Sequence, residues 1–294
     1  MSELKPRVSF IIPVYNERGV FDQVYPAIYE SLVSWNQNFE LLIIDDGSND
    51  GLSYEFCQND SQTRVIKHKI NMGNGASIKT GIRNAAADYC CIMDSDGQHT
   101  VEDALKLVNQ LKEYDLIVGS RNFNNSGTLH RNFANRCFSS LASYMADFKI
   151  YDLTSGLRAF HKEKVVELIH LFPNRFSCPT TMTLGMIRLG YQVSFEPITV
   201  HSREGRSKIK IFQDGLKFLL IILKITTLFS PLRIFVPIAA FMFLLSLLNY
   251  IYIFFESHRF SVWSAVFFSC SVTVFMIGLV AEEISAMKLK RPDR

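Results

Sequence analysis

A short apolar run, Tyr89 to Met93, leads directly into Asp94-Ser-Asp96-Gly-Gln98. Two carboxylates separated by one residue can reach one hard cation, directly or through water, and Gln98 offers a neutral oxygen beside them. Mg²⁺ and Mn²⁺ favour such oxygen sites and keep positions open for phosphate. The same residues also suit a solvated turn, because Asp-Gly is ordinary turn chemistry. Taken alone, the pattern leaves both readings open.

Other polar clusters follow other apolar runs. Asp45-Asp46-Gly-Ser48 places carboxylates where they could accept bonds from a ribose or a base, or simply close an Asx-type turn. In Pro13-Val-Tyr15-Asn-Glu17, Tyr15 could pack against a base and Glu17 could accept from one; a capped helix start is the plainer alternative. Asn71-Met-Gly73-Asn-Gly75 opens a helix, and glycines there let backbone approach a phosphate. It is neither a P-loop nor a dinucleotide fingerprint, since Ile78 stands where the third glycine would be. Basic residues remain at Arg121, at Arg131 and Arg136, and in Arg203-Glu-Gly-Arg-Ser-Lys208. Guanidinium forks suit phosphate, although most single arginines are solvated surface charge.

Something must hold these loops in register. Strand-like runs at Val8–Val14, Glu40–Ile44, Arg64–His68, Tyr89–Met93 and Leu116–Gly119 alternate with helical patterns at Val20–Trp35, Ala76–Ala86 and Val101–Tyr114. That alternation predicts an α/β domain with a mostly parallel, covered sheet. Ligands of such sheets bind beyond the carboxyl ends of the strands, which is where the polar motifs fall. No internal repeat or low-complexity linker interrupts the pattern.

Composition changes near residue 209. Ile234–Phe255 and Phe260–Ala281 carry no charged residue. Each is long enough, at roughly 33 Å as a helix, to cross a bilayer core. The link Glu256-Ser-His-Arg259 allows only a hairpin. Lys217, Lys224 and Arg233 precede the pair, and Lys288, Lys290, Arg291 and Arg294 follow it, so positive-inside bias puts both ends in the cytoplasm. Between Ile209 and Phe229, Lys210, Gln213, Asp214, Lys217 and Lys224 share one helical stripe opposite Ile, Leu and Phe. That predicts an amphipathic helix lying in the membrane interface. The expected division is therefore 1–208 catalytic, 209–230 interfacial and 231–294 anchor.

The net charge of +3, without a basic stripe interleaved with aromatics, gives no case for a nucleic-acid partner. Six cysteines without C-x-x-C or zinc spacing predict reduced core thiols. The first residues lack the apolar run of a signal peptide.

In order along the chain, these motifs resemble glycosyltransferase family 2, with its GT-A fold, and within it the polyprenyl-phosphate sugar synthases. The motifs that carry the resemblance are Pro13–Glu17, Asp45–Ser48, Asn71-x-Gly73-x-Gly75, Asp94-Ser-Asp96, Gly119-Ser-Arg121, Asp152-Leu-Thr-Ser-Gly156-Leu-Arg158 and the Arg203–Lys208 segment. The resemblance implies that Pro13, Tyr15, Glu17, Asp46 and Gly73 hold the nucleotide together with Asp94. It implies that Asp94, Asp96 and Gln98 bind Mg²⁺ or Mn²⁺ and the donor diphosphate. Arg121, Arg131, Ser155, Arg203 and Lys208 would line the donor and acceptor phosphates, with Arg131 and Lys208 acting beside Asp94 and Asp96 in catalysis. One departure stands out: many members carry a glutamate in the segment matching Ser177–Leu184, and none is present here. The sugar is accordingly left unassigned.

The implied function is inverting transfer of one sugar from a UDP- or GDP-linked donor to a polyprenyl phosphate, undecaprenyl or dolichyl, at the cytoplasmic face of the inner membrane. The partners are then a nucleotide sugar, a lipid phosphate and the bilayer; a homo-oligomer is compatible but no residue pattern specifies one. A processive polysaccharide synthase would carry a Gln-x-x-Arg-Trp signature, and the two tryptophans, Trp35 and Trp263, do not supply it. Another membrane-associated acceptor, or a nucleotide-binding scaffold without turnover, stand as alternatives. A transporter is disfavoured by the absence of charge inside the two apolar runs.

Overall fold

The computed structural model describes residues 6–57, 60–121, 139–140, 142–144, 146–175, 178–199, 227 and 230–289. Contacts divide the chain into two units, residues 1–208 and 209–294.

In the first unit, continuous apolar runs form the central strands, which are buried on both faces. β1 (Val8–Val14) pairs in parallel with β2 (Phe39–Asp45), from Val8 opposite Phe39 to Val14 opposite Asp45. β3 (Thr63–Lys67) extends the sheet beyond β2, and β4 (Tyr89–Ile92) pairs in parallel with the other side of β1. The chain thus builds outward from β1 in one direction and then returns to its other side. The crevice where strand order reverses lies at the carboxyl ends of β1 and β4, the usual ligand position in such sheets.

Helices α1 (Arg18–Ser34), α2 (Asn74–Asn84) and α3 (Val101–Asn109) provide the cover. Phe10 and Ile12 of β1 share a buried cluster with Phe21, Ile28 and Leu32 of α1 and Leu107 of α3. Thr100 caps α3 by accepting from the Asp103 amide at 3.2 Å, with Glu102 and Asp103 in the first turn. The α-helix expected over 101–114 ends at Asn109 and tightens into a 3₁₀ turn at Gln110–Lys112.

The remaining strands are β5 (Leu116–Arg121), β6 (Arg158–His161) and β7 (Val193–Ile198). The seven-stranded order is β3-β2-β1-β4-β6-β5-β7. β6 runs antiparallel between β4 and β5. That strand is too short to show periodicity, and it begins with a wholly buried arginine, Arg158. α4 (Lys162–Val166) and α5 (Cys178–Arg188) complete this unit. Cys57, Cys90, Cys91 and Cys178 are buried free thiols; burial pushes Cys90 and Cys178 up to about 12.

The second unit contains a pair of apolar helices, α6 (Leu232–Ser257) and α7 (Val262–Leu289). Both are long and apolar enough to cross a membrane. His258 ends α6 in the left-handed conformation, with φ of 54°. α7 starts later than the apolar run suggests, because Phe260 and Ser261 belong to the turn, and it continues past residue 281 through Glu282 and Glu283. Polar side chains bond across the hairpin. Asn249 Oδ1 accepts from Ser261 and Ser264 at 2.7 and 2.9 Å, and Ser271 Oγ donates to the Ala239 carbonyl at 2.8 Å. The amphipathic helix expected at 209–230 lies outside the described residues, apart from Thr227 and Ser230.

Candidate active site

The loops leaving β1 and β2 are tied together by polar bonds. The Asn16 amide donates to Ser48 Oγ at 3.0 Å, the Asn49 amide to Asn16 Oδ1 at 2.9 Å, and the Arg18 amide to Asp50 Oδ2 at 2.9 Å. The ring of Tyr15 is left 44% exposed at this rim, next to the half-buried Pro13. Asp45 is fully buried; burial alone would raise its carboxyl, but the Ser48 and Lys67 donors outweigh it and hold the group below its ordinary value.

Asp46 is only 2% exposed and turns inward. Its Oδ1 accepts from His68 Nδ1 at 2.8 Å and from the Met72 amide at 2.9 Å, while Oδ2 accepts from the Gly73 amide at 2.7 Å. A carboxylate can only accept, so Nδ1 of His68 carries a proton. In the neutral ring Nε2 then accepts from Thr80 Oγ1, 2.9 Å away. Asp46 thereby fixes the glycine-rich loop, an internal task beside the nucleotide contact expected of it. His68 and Thr80 gave no sequence signal.

The turn after β4 is built as an Asx turn: Asp96 Oδ1 accepts from the Gln98 amide at 3.2 Å, and Gly97 has φ of +71°. Ser95 donates to Glu17, linking this turn to the end of β1. Asp94 is different. Its side chain is 37% exposed, and His99 Nε2 lies 3.6 Å from its Oδ2. His99 is itself buried, and its Nδ1 has no hydrogen-bond partner among the described residues. Gly156 packs directly against Asp94; a Cβ there would stand 2.1 Å from Oδ2, so any other residue would displace the carboxylate.

Asp94 lines a cavity of about 390 Å³. Asn71, Gly73 and Asn74 of the glycine-rich loop form one wall. Thr154 and Gly156 form a second, and Arg175, Pro179 and Thr180 a third. Asp94 is the only acid among the described residues that line it. Asp96 and Gln98 sit on the same turn but are not among the lining residues. Among the described residues no cluster of three or more His, Cys, Asp or Glu side chains could hold a metal. Mg²⁺ needs only one or two carboxylates when phosphate and water complete its shell, so an Asp94/Asp96 pair fits that chemistry.

Arg121, expected at the phosphates, is bonded to Asp152 and Thr154. Its Nε donates to Asp152 Oδ2 at 2.7 Å, and its Nη2 to Asp152 Oδ1 at 3.1 Å and Thr154 Oγ1 at 2.5 Å. Burial would raise the Asp152 carboxyl, but the Arg121 guanidinium holds it below its ordinary value. A second arginine, Arg158, is wholly buried and donates to the carbonyls of Leu153, Ser155 and Pro179. Burial pushes it down to about 10, so it still carries its charge at neutral pH and clamps the 153–155 segment to the start of α5. Ser155, expected at the phosphates, is 1% exposed, and its Oγ has no hydrogen-bond partner among the described residues. Its neighbours Thr154 and Gly156 are the ones that line the cavity. Arg131, Arg203 and Lys208 lie outside the described residues.

The profile of glycosyl transferase family 2 matches residues 9–169, and that of the GtrB C-terminal hairpin matches residues 230–287. The chain belongs to glycosyl transferase family 2, and its sheet and helices form the GT-A-type fold. It is similar to the dodecaprenyl-phosphate galacturonate synthase of Rhizobium johnstonii, 24% identical over 214 residues, covering 69% of this chain and 62% of that one. The dolichyl-phosphate beta-glucosyltransferase of Saccharomyces cerevisiae is 24% identical over 238 residues, covering 71% of each. This chain therefore spans less than two thirds of the Rhizobium protein's length. A solved structure of glucosyl-3-phosphoglycerate synthase from Mycobacterium tuberculosis, in complex with Mn²⁺, UDP-glucose and phosphoglyceric acid, superposes with a TM-score of 0.59 at 18% identity, covering 75% of this chain and 80% of that one.

Proposed function

We propose that the protein transfers a single sugar, with inversion, from a nucleoside-diphosphate sugar to a polyprenyl phosphate at the cytoplasmic face of the inner membrane. The observation that carries this is that Asp94 is the single acid among the described residues lining the cavity. A hydroxyl acceptor must lose its proton as it attacks and needs a positioned base. Asp94 is the one described carboxylate in the cavity, and the diphosphate has prior claim on it. A phosphate monoester, with a second pKa of about 6, arrives already ionised and needs only positioning.

In the reaction, an acceptor phosphate oxygen forms a bond to the anomeric carbon. The bond from that carbon to the donor diphosphate breaks, and the nucleoside diphosphate departs with the electron pair. A divalent cation, Mg²⁺ or Mn²⁺, held by Asp94 and Asp96 with Gln98 nearby, would neutralise the leaving diphosphate. Tyr15 and Pro13 offer an exposed rim for the nucleoside, UDP- or GDP-linked. The similar proteins act on dodecaprenyl and dolichyl phosphates by name, and the metal and UDP in the mycobacterial structure agree with the cation assignment. Residues 231–294 serve as the anchor and 209–230 as the interfacial segment in this reading, with flanking lysines and arginines supporting a cytoplasmic catalytic unit.

The test is transfer by the full chain from a panel of labelled UDP- and GDP-sugars to undecaprenyl phosphate, with and without EDTA. A lipid-linked monosaccharide formed only with metal is the expected product. Absence of product with every donor, or full activity in excess EDTA, overturns the proposal.

A further inference from the structure

The loop between the 3₁₀ turn Ile169–Leu171 and α5 is pinned to the start of α2. The Asn174 carbonyl accepts from the Ala76 amide at 2.8 Å, and Lys79 Nζ donates to the Phe172 carbonyl at 3.1 Å and to Asn174 Oδ1. Arg175 follows directly. Its stem lies against Gly73, where a Cβ would stand 2.7 Å from Arg175 Cγ and 2.6 Å from the Asn174 carbonyl oxygen. Gly73, with φ of +102°, is in turn held through its amide by Asp46. The base of Arg175 is thus fixed by a chain of contacts running back to Asp46 and His68.

The head of Arg175 has no such engagement. The residue lines the cavity that Asp94 also lines, and its guanidinium makes no hydrogen bond or ion pair among the described residues. Its neighbours on the lining, Asn71, Asn74 and Thr180, are neutral hydrogen-bonding groups. Arg121, one of the arginines the resemblance implies at the phosphates, is by contrast paired with Asp152. A planar guanidinium fork pairs bidentately with an oxyanion, carboxylate or phosphate, and shows no comparable preference for a neutral hydroxyl.

We propose that Arg175, with Asn71, Asn74 and Thr180, forms an anion subsite across the cavity from Asp94. Its ligand is an oxyanion of the substrates: a carboxylate on the donor sugar, or the phosphate of the lipid acceptor. This rests on the transferase reading and adds to it a residue that recognises charge on a substrate.

The test uses the full chain in detergent, with Arg175→Ala and Arg175→Gln beside wild type. One arm measures the affinity of farnesyl phosphate with no nucleotide present. The other measures UDP-glucuronate against UDP-glucose with Mn²⁺. Loss of one charge-assisted contact corresponds to a drop of about 10- to 100-fold. A drop of that size for farnesyl phosphate assigns the subsite to the acceptor; a drop confined to UDP-glucuronate assigns it to the donor carboxylate. Unchanged affinity for both probes in both variants overturns the subsite. Failure of the wild type to bind either UDP or GDP overturns the transferase reading instead, and the farnesyl phosphate arm still reports on Arg175.

Discussion

Two arginines near one cavity have opposite settings. Arg121, at the end of β5, meets a buried carboxylate with a bidentate fork and adds a bond to Thr154, itself a lining residue. Arg175, on the loop before α5, lines the cavity itself and has a fixed stem, while its head makes no hydrogen bond or ion pair among the described residues. The first spends its charge inside the fold, keeping the 152–156 segment where Gly156 can touch Asp94. The second keeps its charge for a ligand. Arginine at a strand end is therefore not evidence of phosphate contact until its partners are known. A buried acid nearby converts it into scaffolding.

Substitution at the reacting end of the cavity should have the largest effect. Asp94→Asn should lower turnover by about two orders of magnitude or more, the scale of one lost electrostatic stabiliser. A steady-state assay checks this, and a loss below tenfold would detach Asp94 from the chemistry.

The arginine comparison itself is sharpened by stability. Arg121→Ala leaves Asp152 buried and unpaired, which costs about 3–5 kcal/mol. Arg175→Ala should stay within about 0.5 kcal/mol of wild type, as exposed substitutions do. Denaturant titration of both variants breaks the comparison if Arg121→Ala proves as stable as wild type.

Asp152 also sets a pH signature. Its folded-state pKa is depressed, so its contribution is fully present above its unfolded value, about 3.9, and is lost as pH falls through the folded value. The stability difference between wild type and Asp152→Asn should be constant from neutrality down to about pH 5 and shrink only in stronger acid. A difference that already collapses between pH 8 and 6 would assign the stabilisation to another group.

The smallest effect belongs to the hairpin, where Asn249 accepts from two serines. Interhelical side-chain bonds of this kind average about 0.6 kcal/mol in membranes, so Asn249→Ala should barely shift the melting temperature. A large drop would mean that the hairpin, like the Arg121–Asp152 pair, depends on a buried polar network.

What the sequence made legible follows from locality. β1, β2 and β4 are predominantly apolar runs, so their limits and the loops leaving them could be placed to within a residue or two. Asp94 and Gly156 could be named from motifs, although not the contact between them. β6 escaped because its four residues include Arg158, and a buried cation breaks the apolar pattern that marks a strand. The pairing of Arg121 with Asp152 was not legible, because it joins residues far apart in the chain, and Arg175 carried no motif to name it. His68 and Thr80 act through Asp46, a contact that sequence spacing does not encode. Arg131, Arg203 and Lys208 keep the standing the motifs gave them, as proposed phosphate contacts.

The central claim is that the acceptor brings its own charge to a cavity whose described lining residues offer no spare base. The direct measurement is the rate of transfer to farnesyl phosphate and to farnesol across pH 5 to 9 (about two units either side of neutrality), at saturating donor and metal. The account predicts a rate with farnesyl phosphate that rises to a plateau as the phosphate loses its second proton near pH 6, and no transfer to farnesol. Efficient transfer to farnesol, with a rate governed by a group of the protein, would contradict it.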